Sequence, residues 1–148
     1  MTKRILVADQ DPSVRRMVAR VLETAGYTAS LCGVGPETLS AIRTLSPDLL
    51  LLDVNSPDAE AWDILKQVRH AASELPVILI TGWPNLGAQA VQRGVQWLME
   101  KPLDLPQLLA LIQRLLLEPA RSEGERGGEN KVKPAFGGGF ALASGVPS

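Results

Sequence analysis

Leu49-Leu50-Leu51-Leu52-Asp53 is the stretch that decides how the chain folds. Four consecutive leucines leave no polar face, so as a strand the segment must be covered on both sides, the condition of a strand inside a parallel sheet. The apolar run then stops at a carboxylate, and Asp53 is delivered at the strand's carboxyl end. Ile5-Leu6-Val7-Ala8 repeats the pattern and stops at Asp9-Gln10-Asp11-Pro12, while Val77-Ile78-Leu79-Ile80 repeats it and delivers Thr81. Residues 27–32 and about 96–100 read as two further strands, the last followed by Lys101-Pro102.

Helical periodicity fills the gaps. Asp11 can cap a helix with Pro12 at its first position, and Val14, Met17, Val18, Val21 and Leu22 recur at spacings of three and four until Gly26 stops them. Pro36 opens a second helix with Leu39, Ile42 and Leu45 on one side. A third surrounds residues 61–70, with Leu65 and Val68 inward, a short fourth covers about 86–93 before Gly94, and a fifth covers 105–117. Five apolar strands alternating with helices predict an α/β fold, a five-stranded parallel sheet with helices on both faces, doubly wound. The lone His70, near a helix end, reads as a surface residue.

The chain has 148 residues, enough for one core, and its 15 basic side chains nearly balance 16 acidic ones. That balance offers no general basic field for nucleic acid. One cysteine, Cys32, and one histidine can form neither a disulfide nor a zinc site, and the apolar run after Lys3-Arg4 is too short for a signal peptide or membrane span. A cytoplasmic location without membrane or direct nucleic-acid contact is the expectation. The composition changes after Glu118. Residues 119–148 hold 7 of the 13 glycines and keep no apolar periodicity, so the folded unit is expected over 1–118 and a flexible Gly-rich tail over 119–148.

In doubly wound sheets the ligand site lies beyond the carboxyl ends of the strands. Asp9 and Asp11, Asp53, Thr81 and Lys101 would therefore meet along one edge. Crowded carboxylates repel unless a cation neutralises them, and magnesium, with its preference for oxygen ligands and retained waters, suits two carboxylates and a backbone carbonyl. A carboxylate can serve as the nucleophile that forms an acyl phosphate, with a hydroxyl and an ammonium stabilising the peripheral phosphoryl oxygens.

The segments around residues 5–12, 47–57, 76–81 and 100–102 resemble the response-regulator receiver domain of two-component signalling, over about residues 3–118. The resemblance implies the flavodoxin-like (β/α)5 fold, with Asp53 accepting a phosphoryl group from a sensor histidine kinase or phosphotransfer protein. It implies that Thr81 and Lys101 read the phosphorylated state, and that magnesium is held by Asp9, Asp53 and the carbonyl of Asn55. It also implies a cis Lys101-Pro102 peptide and a role as a switch that alters binding of a downstream protein rather than as a turnover enzyme.

The chain departs from that pattern where the family has a second acid after its first strand. Gln10 stands there, which lowers the expected metal affinity and leaves Gln10 or Asp11 as alternative further ligands. Ser56 and Glu60-Ala61 replace the usual Met and Asp-Gly; Thr81 and Lys101 are about two residues closer than usual, which shortens the fourth helix, and Leu98 occupies the aromatic switch position. A degenerate receiver acting as a phosphorylation-independent adaptor is the alternative. A haloacid-dehalogenase-type phosphatase using Asp9 would explain Asp9-Gln10-Asp11, but leaves Asp53 without a role. The seven leucines and Ile112 between Leu105 and Leu117 exceed one core-facing stripe and offer a face for a partner or a second copy. Trp83 could lid the site. No DNA-binding module is legible, and a stand-alone receiver is the expectation.

Overall fold

A computed structural model of the chain describes residues 2–54, 59–83 and 86–117. The elements alternate along the chain as β1 (Arg4–Ala8), α1 (Pro12–Thr24), β2 (Thr28–Cys32), α2 (Pro36–Leu45), β3 (Leu49–Val54), α3 (Ala59–Ala71), β4 (Val77–Thr81), α4 (Gly87–Gln92), β5 (Trp97–Glu100) and α5 (Leu105–Leu117). All strand pairs are parallel, in the order β2-β1-β3-β4-β5. The chain leaves β1 toward one sheet edge and returns past it toward the other, so the topological switch point falls between β1 and β3.

Local chemistry sets the element ends. The Asp11 carboxylate accepts from the Ser13 amide at 2.8 Å and caps α1, with Pro12 in its first turn. Gly26 and Gly94 have φ of 99° and 79° and carry the chain out of α1 and α4 through the left-handed region that side chains avoid. Asp104 accepts from the Gln107 amide at 3.1 Å and starts α5. The fourth helix is short, six residues, as the reduced Thr81-to-Lys101 spacing implied.

The alternation hidden in the leucine run appears in the packing. Leu6, Ala8, Leu50, Leu52 and Leu79 pack with residues of α2, α3 and α4, while Ile5, Val7, Leu49, Leu51 and Ile78 pack with α1 and α5. A strand turns successive side chains to opposite faces, so a run with no polar face feeds two separate cores. Leu108, Leu111 and Ile112 are buried on the second of these, Leu105, Leu109, Leu115 and Leu116 pack partly against it, and Leu117 is 74% exposed. The broad apolar arc of α5 is thus mostly covered by its own domain. Leu98 is fully buried among the residues of the α2, α3 and α4 side, and Trp97 faces the other side with the Arg114 guanidinium 5.3 Å from its ring centre. No helix among the described residues is long and apolar enough to cross a membrane. The tail over 119–148 lies outside the described residues.

Candidate functional site

Asp9 follows β1, Asp53 stands next to last in β3, Thr81 ends β4 and Lys101 follows β5, so four strands deliver polar groups to one rim. Asp9 and Asp53 are each 4% exposed and Thr81 is fully buried, a rare condition for carboxylates that are not paired. Lys101 Nζ lies 2.5 Å from Asp53 Oδ2 and keeps about a third of its side chain in solvent. Asp53 Oδ1 is buried without a hydrogen-bond partner among the described residues. The Lys101-Pro102 peptide is cis.

Burial pushes the Asp53 carboxyl up from 3.8 to about 6; the Lys101 ammonium pulls against this, and the facing Asp9 carboxylate adds to the rise. Asp9 is held from its own side of the rim. Its Oδ1 accepts from the Asp11 amide at 2.9 Å, and its backbone carbonyl accepts from Arg15 Nη1 at 3.0 Å. Thr81 Oγ1 accepts from the Trp83 amide at 3.0 Å, which orients the hydroxyl and leaves its proton available. The Trp83 side chain is 43% exposed.

Two carboxylates side by side, with one buried oxygen orphaned, fit a hard divalent cation, whose charge would relieve the repulsion that raises Asp53. Asp9 and Asp53 would hold it. The two alternative ligands are engaged elsewhere: Gln10 pairs with the backbone of Val34, and the Asp11 carboxylate caps α1. Asn55 lies outside the described residues. Among the described residues no group of three or more His, Cys, Asp or Glu side chains gathers in a way that could hold a metal ion, so side-chain ligation would rest on Asp9 and Asp53.

Sequence reasoning missed Arg15 and the partner of Gln10. Arg15 stands four residues after Asp11, one helical turn on, and that spacing could have signalled a cation directed back at the acidic turn. The approach of Gln10 to Val34 depends on two loops meeting in space, and nothing local announces it. Cys32 is half-buried, its Sγ 3.9 Å from Thr38 Oγ1, and burial pushes its thiol up, the reverse of what a reactive thiolate needs.

A buried aspartate beside a second carboxylate and a lysine lies at the switch point of a doubly wound sheet, where such folds place their ligand sites. The family model described as the response regulator receiver domain matches residues 5–113, and the chain belongs to that family. The DNA-binding transcriptional regulator NtrC of Escherichia coli (strain K12) is 34% identical over 114 residues, covering 76% of this chain and 24% of that protein. The response regulator MprA of Mycobacterium ulcerans (strain Agy99) is 34% identical over 118 residues, 78% of this chain and 51% of that protein. The chain thus spans about a quarter of the first of these relatives and about half of the second. Among solved structures, a CheY-like response regulator receiver domain protein from Methanospirillum hungatei JF-1 superposes with a TM-score of 0.70 at 25% identity, covering 87% of this chain and 99% of that one. The fold is the CheY-like, flavodoxin-like receiver fold.

Proposed function

We propose that the chain is a phosphorylatable switch of a two-component or phosphorelay system that acts in the cytoplasm. Asp53 accepts a phosphoryl group from a phosphohistidine of a sensor kinase or phosphotransfer protein, and the change alters binding to a downstream protein. The observation that carries this reading is the Asp53 carboxylate itself: 4% exposed, with Oδ1 unpartnered among the described residues and Oδ2 paired to Lys101.

In the proposed transfer an oxygen of Asp53 attacks phosphorus and the P–N bond of the donor breaks. Its electron pair leaves with the imidazole nitrogen, and the product is an acyl phosphate on Asp53. Oδ1, with no donor competing for its lone pairs among the described residues, is the attacking oxygen. The Lys101 ammonium, already at the acceptor, neutralises the peripheral phosphoryl oxygens, and the Thr81 hydroxyl donates its free proton to one of them. Asp9 and Asp53 would hold magnesium, which when bound supplies positive charge for the carboxylates and the incoming phosphoryl oxygens. The family assignment supports Asp53 rather than Asp9 as nucleophile.

Incubation of the full chain with a small-molecule phosphodonor and magnesium, followed by intact-mass measurement, tests the proposal. One phosphoryl adduct is expected on the wild type and none on Asp53→Asn. Absence of any adduct would instead support a phosphorylation-independent adaptor, and steady hydrolysis of a model phosphomonoester that is lost in Asp9→Asn would support a phosphatase.

A further inference from the structure

We propose that Gln10 is a structural latch between two loops rather than a cation ligand. Its carboxamide latches the turn carrying Asp9 to the loop between β2 and α2, so a cation on the rim meets the carboxylates of Asp9 and Asp53 and no oxygen from Gln10. The latch stands on hydrogen bonds alone, while its consequence for the cation rests on the cation site of the proposed function.

The geometry is specific. Gln10 Nε2 donates to the Val34 carbonyl at 3.0 Å, and the Val34 amide donates to Gln10 Oε1 at 3.2 Å. Both ends of the Gln10 carboxamide are thereby satisfied by the backbone N–H and C=O of one residue, Val34, and only one orientation of the carboxamide does so. A carboxylate at this position could accept from the Val34 amide but would have no proton to offer the Val34 carbonyl. A neutral side chain bearing both donor and acceptor is what the latch requires, which accounts for an amide directly after an acid whose neighbourhood would otherwise favour negative charge.

The loop is shaped to receive it. A Cβ at Gly33 would come within 2.9 Å of Gln10 Oε1 and 2.6 Å of Glu37 Oε2, the far ends of two flexible side chains, so a larger residue there would push the Gln10 carboxamide from its present place. From the other side the fully buried Thr38 donates to the Gly33 carbonyl at 2.7 Å and accepts from the Gly35 amide at 3.2 Å. Residues 33–35 are thus tied to α2 by Thr38 and to the acidic turn by Gln10. The turn is fixed in addition by Arg15 on the Asp9 carbonyl and by the Asp11 amide on the Asp9 carboxylate. The position of Asp9 is therefore set by protein contacts.

The test combines backbone amide exchange at Val34 with calorimetric titration of Mg2+ alone, on the full-length wild type, Gln10→Ala, Gln10→Asp and Asp9→Asn. Exchange at Val34 is expected to quicken about fivefold or more in both Gln10 variants, because the amide loses its acceptor or that acceptor's anchoring. Mg2+ affinity is expected to stay within about twofold in Gln10→Ala, to tighten by about tenfold in Gln10→Asp, where a third carboxylate becomes free to ligate, and to fall by about tenfold or more in Asp9→Asn. Unchanged Val34 exchange in Gln10→Ala, or a loss of Mg2+ affinity there matching that of Asp9→Asn, would overturn the proposal. A wild type that binds no Mg2+ while its Val34 exchange still responds to Gln10→Ala would support the latch and defeat the cation site of the proposed function.

Discussion

Replacing Asp53 by asparagine should make the folded protein more stable at neutral pH and leave it little changed at pH 4. The carboxyl is raised from 3.8 to about 6, chiefly by burial, so the folded protein holds this proton more tightly than the unfolded chain does. The stabilisation from protonated Asp53 is therefore complete below about pH 4 and is lost as the pH rises through 6. At about 1.4 kcal/mol per pH unit, a rise of roughly two units means that the ionised carboxylate costs the fold about 3 kcal/mol at pH 7.5. Asparagine keeps the shape without the charge, and Lys101, a third exposed, can turn to water. Urea unfolding of wild type and Asp53→Asn with a chelator present, at pH 4, 5, 6 and 7.5, should show a gap that opens with pH toward that value. Added magnesium should narrow it by stabilising the wild type alone. A gap independent of pH, or a variant less stable than wild type at pH 7.5, would refute the reasoning.

Three further outcomes concern the scaffold. Leu50, fully buried between β1 and β4, should cost about 2–5 kcal/mol as Leu50→Ala by chemical denaturation. Thr38→Val keeps the volume but strands the Gly33 carbonyl and the Gly35 amide, so a loss of about 1–3 kcal/mol is expected, with faster amide exchange at Gly35. Asp11→Ala removes the α1 cap and should lower stability by about 0.5–2 kcal/mol in the same assay; a larger drop in Mg2+ affinity than in stability would mark Asp11 as a ligand instead.

The strands were legible because their chemistry is extreme. Leu49-Leu50-Leu51-Leu52 admits no half-exposed position, and all four leucines are buried. Caps were legible where one residue decides them, as at Asp11 and at Gly26. The sequence does not say which side of the sheet each leucine serves, since every position in the run is apolar and the side depends on how the helices wrap. Asp53 was expected at the carboxyl end of its strand and stands next to last in it, because the ladder with β4 continues through Asp53 to Val54. At the rim, residue types and strand ends sufficed to bring Asp53, Asp9, Thr81 and Lys101 to one edge. The direction of Gln10 was not legible: an amide can ligate a cation or bind a backbone with equal ease, and only the position of Val34 decides between them.

Central to this reading is a buried aspartate made reactive by its neighbours, and the most direct measurement is peptide-level mapping of the phosphoryl group after treatment with a small-molecule donor. The expected result is a single modified residue, Asp53, formed with magnesium present, abolished by a chelator and strongly reduced in Lys101→Ala. A phosphoryl group on Asp9, or modification of Asp53 at the same rate with and without magnesium, would contradict it.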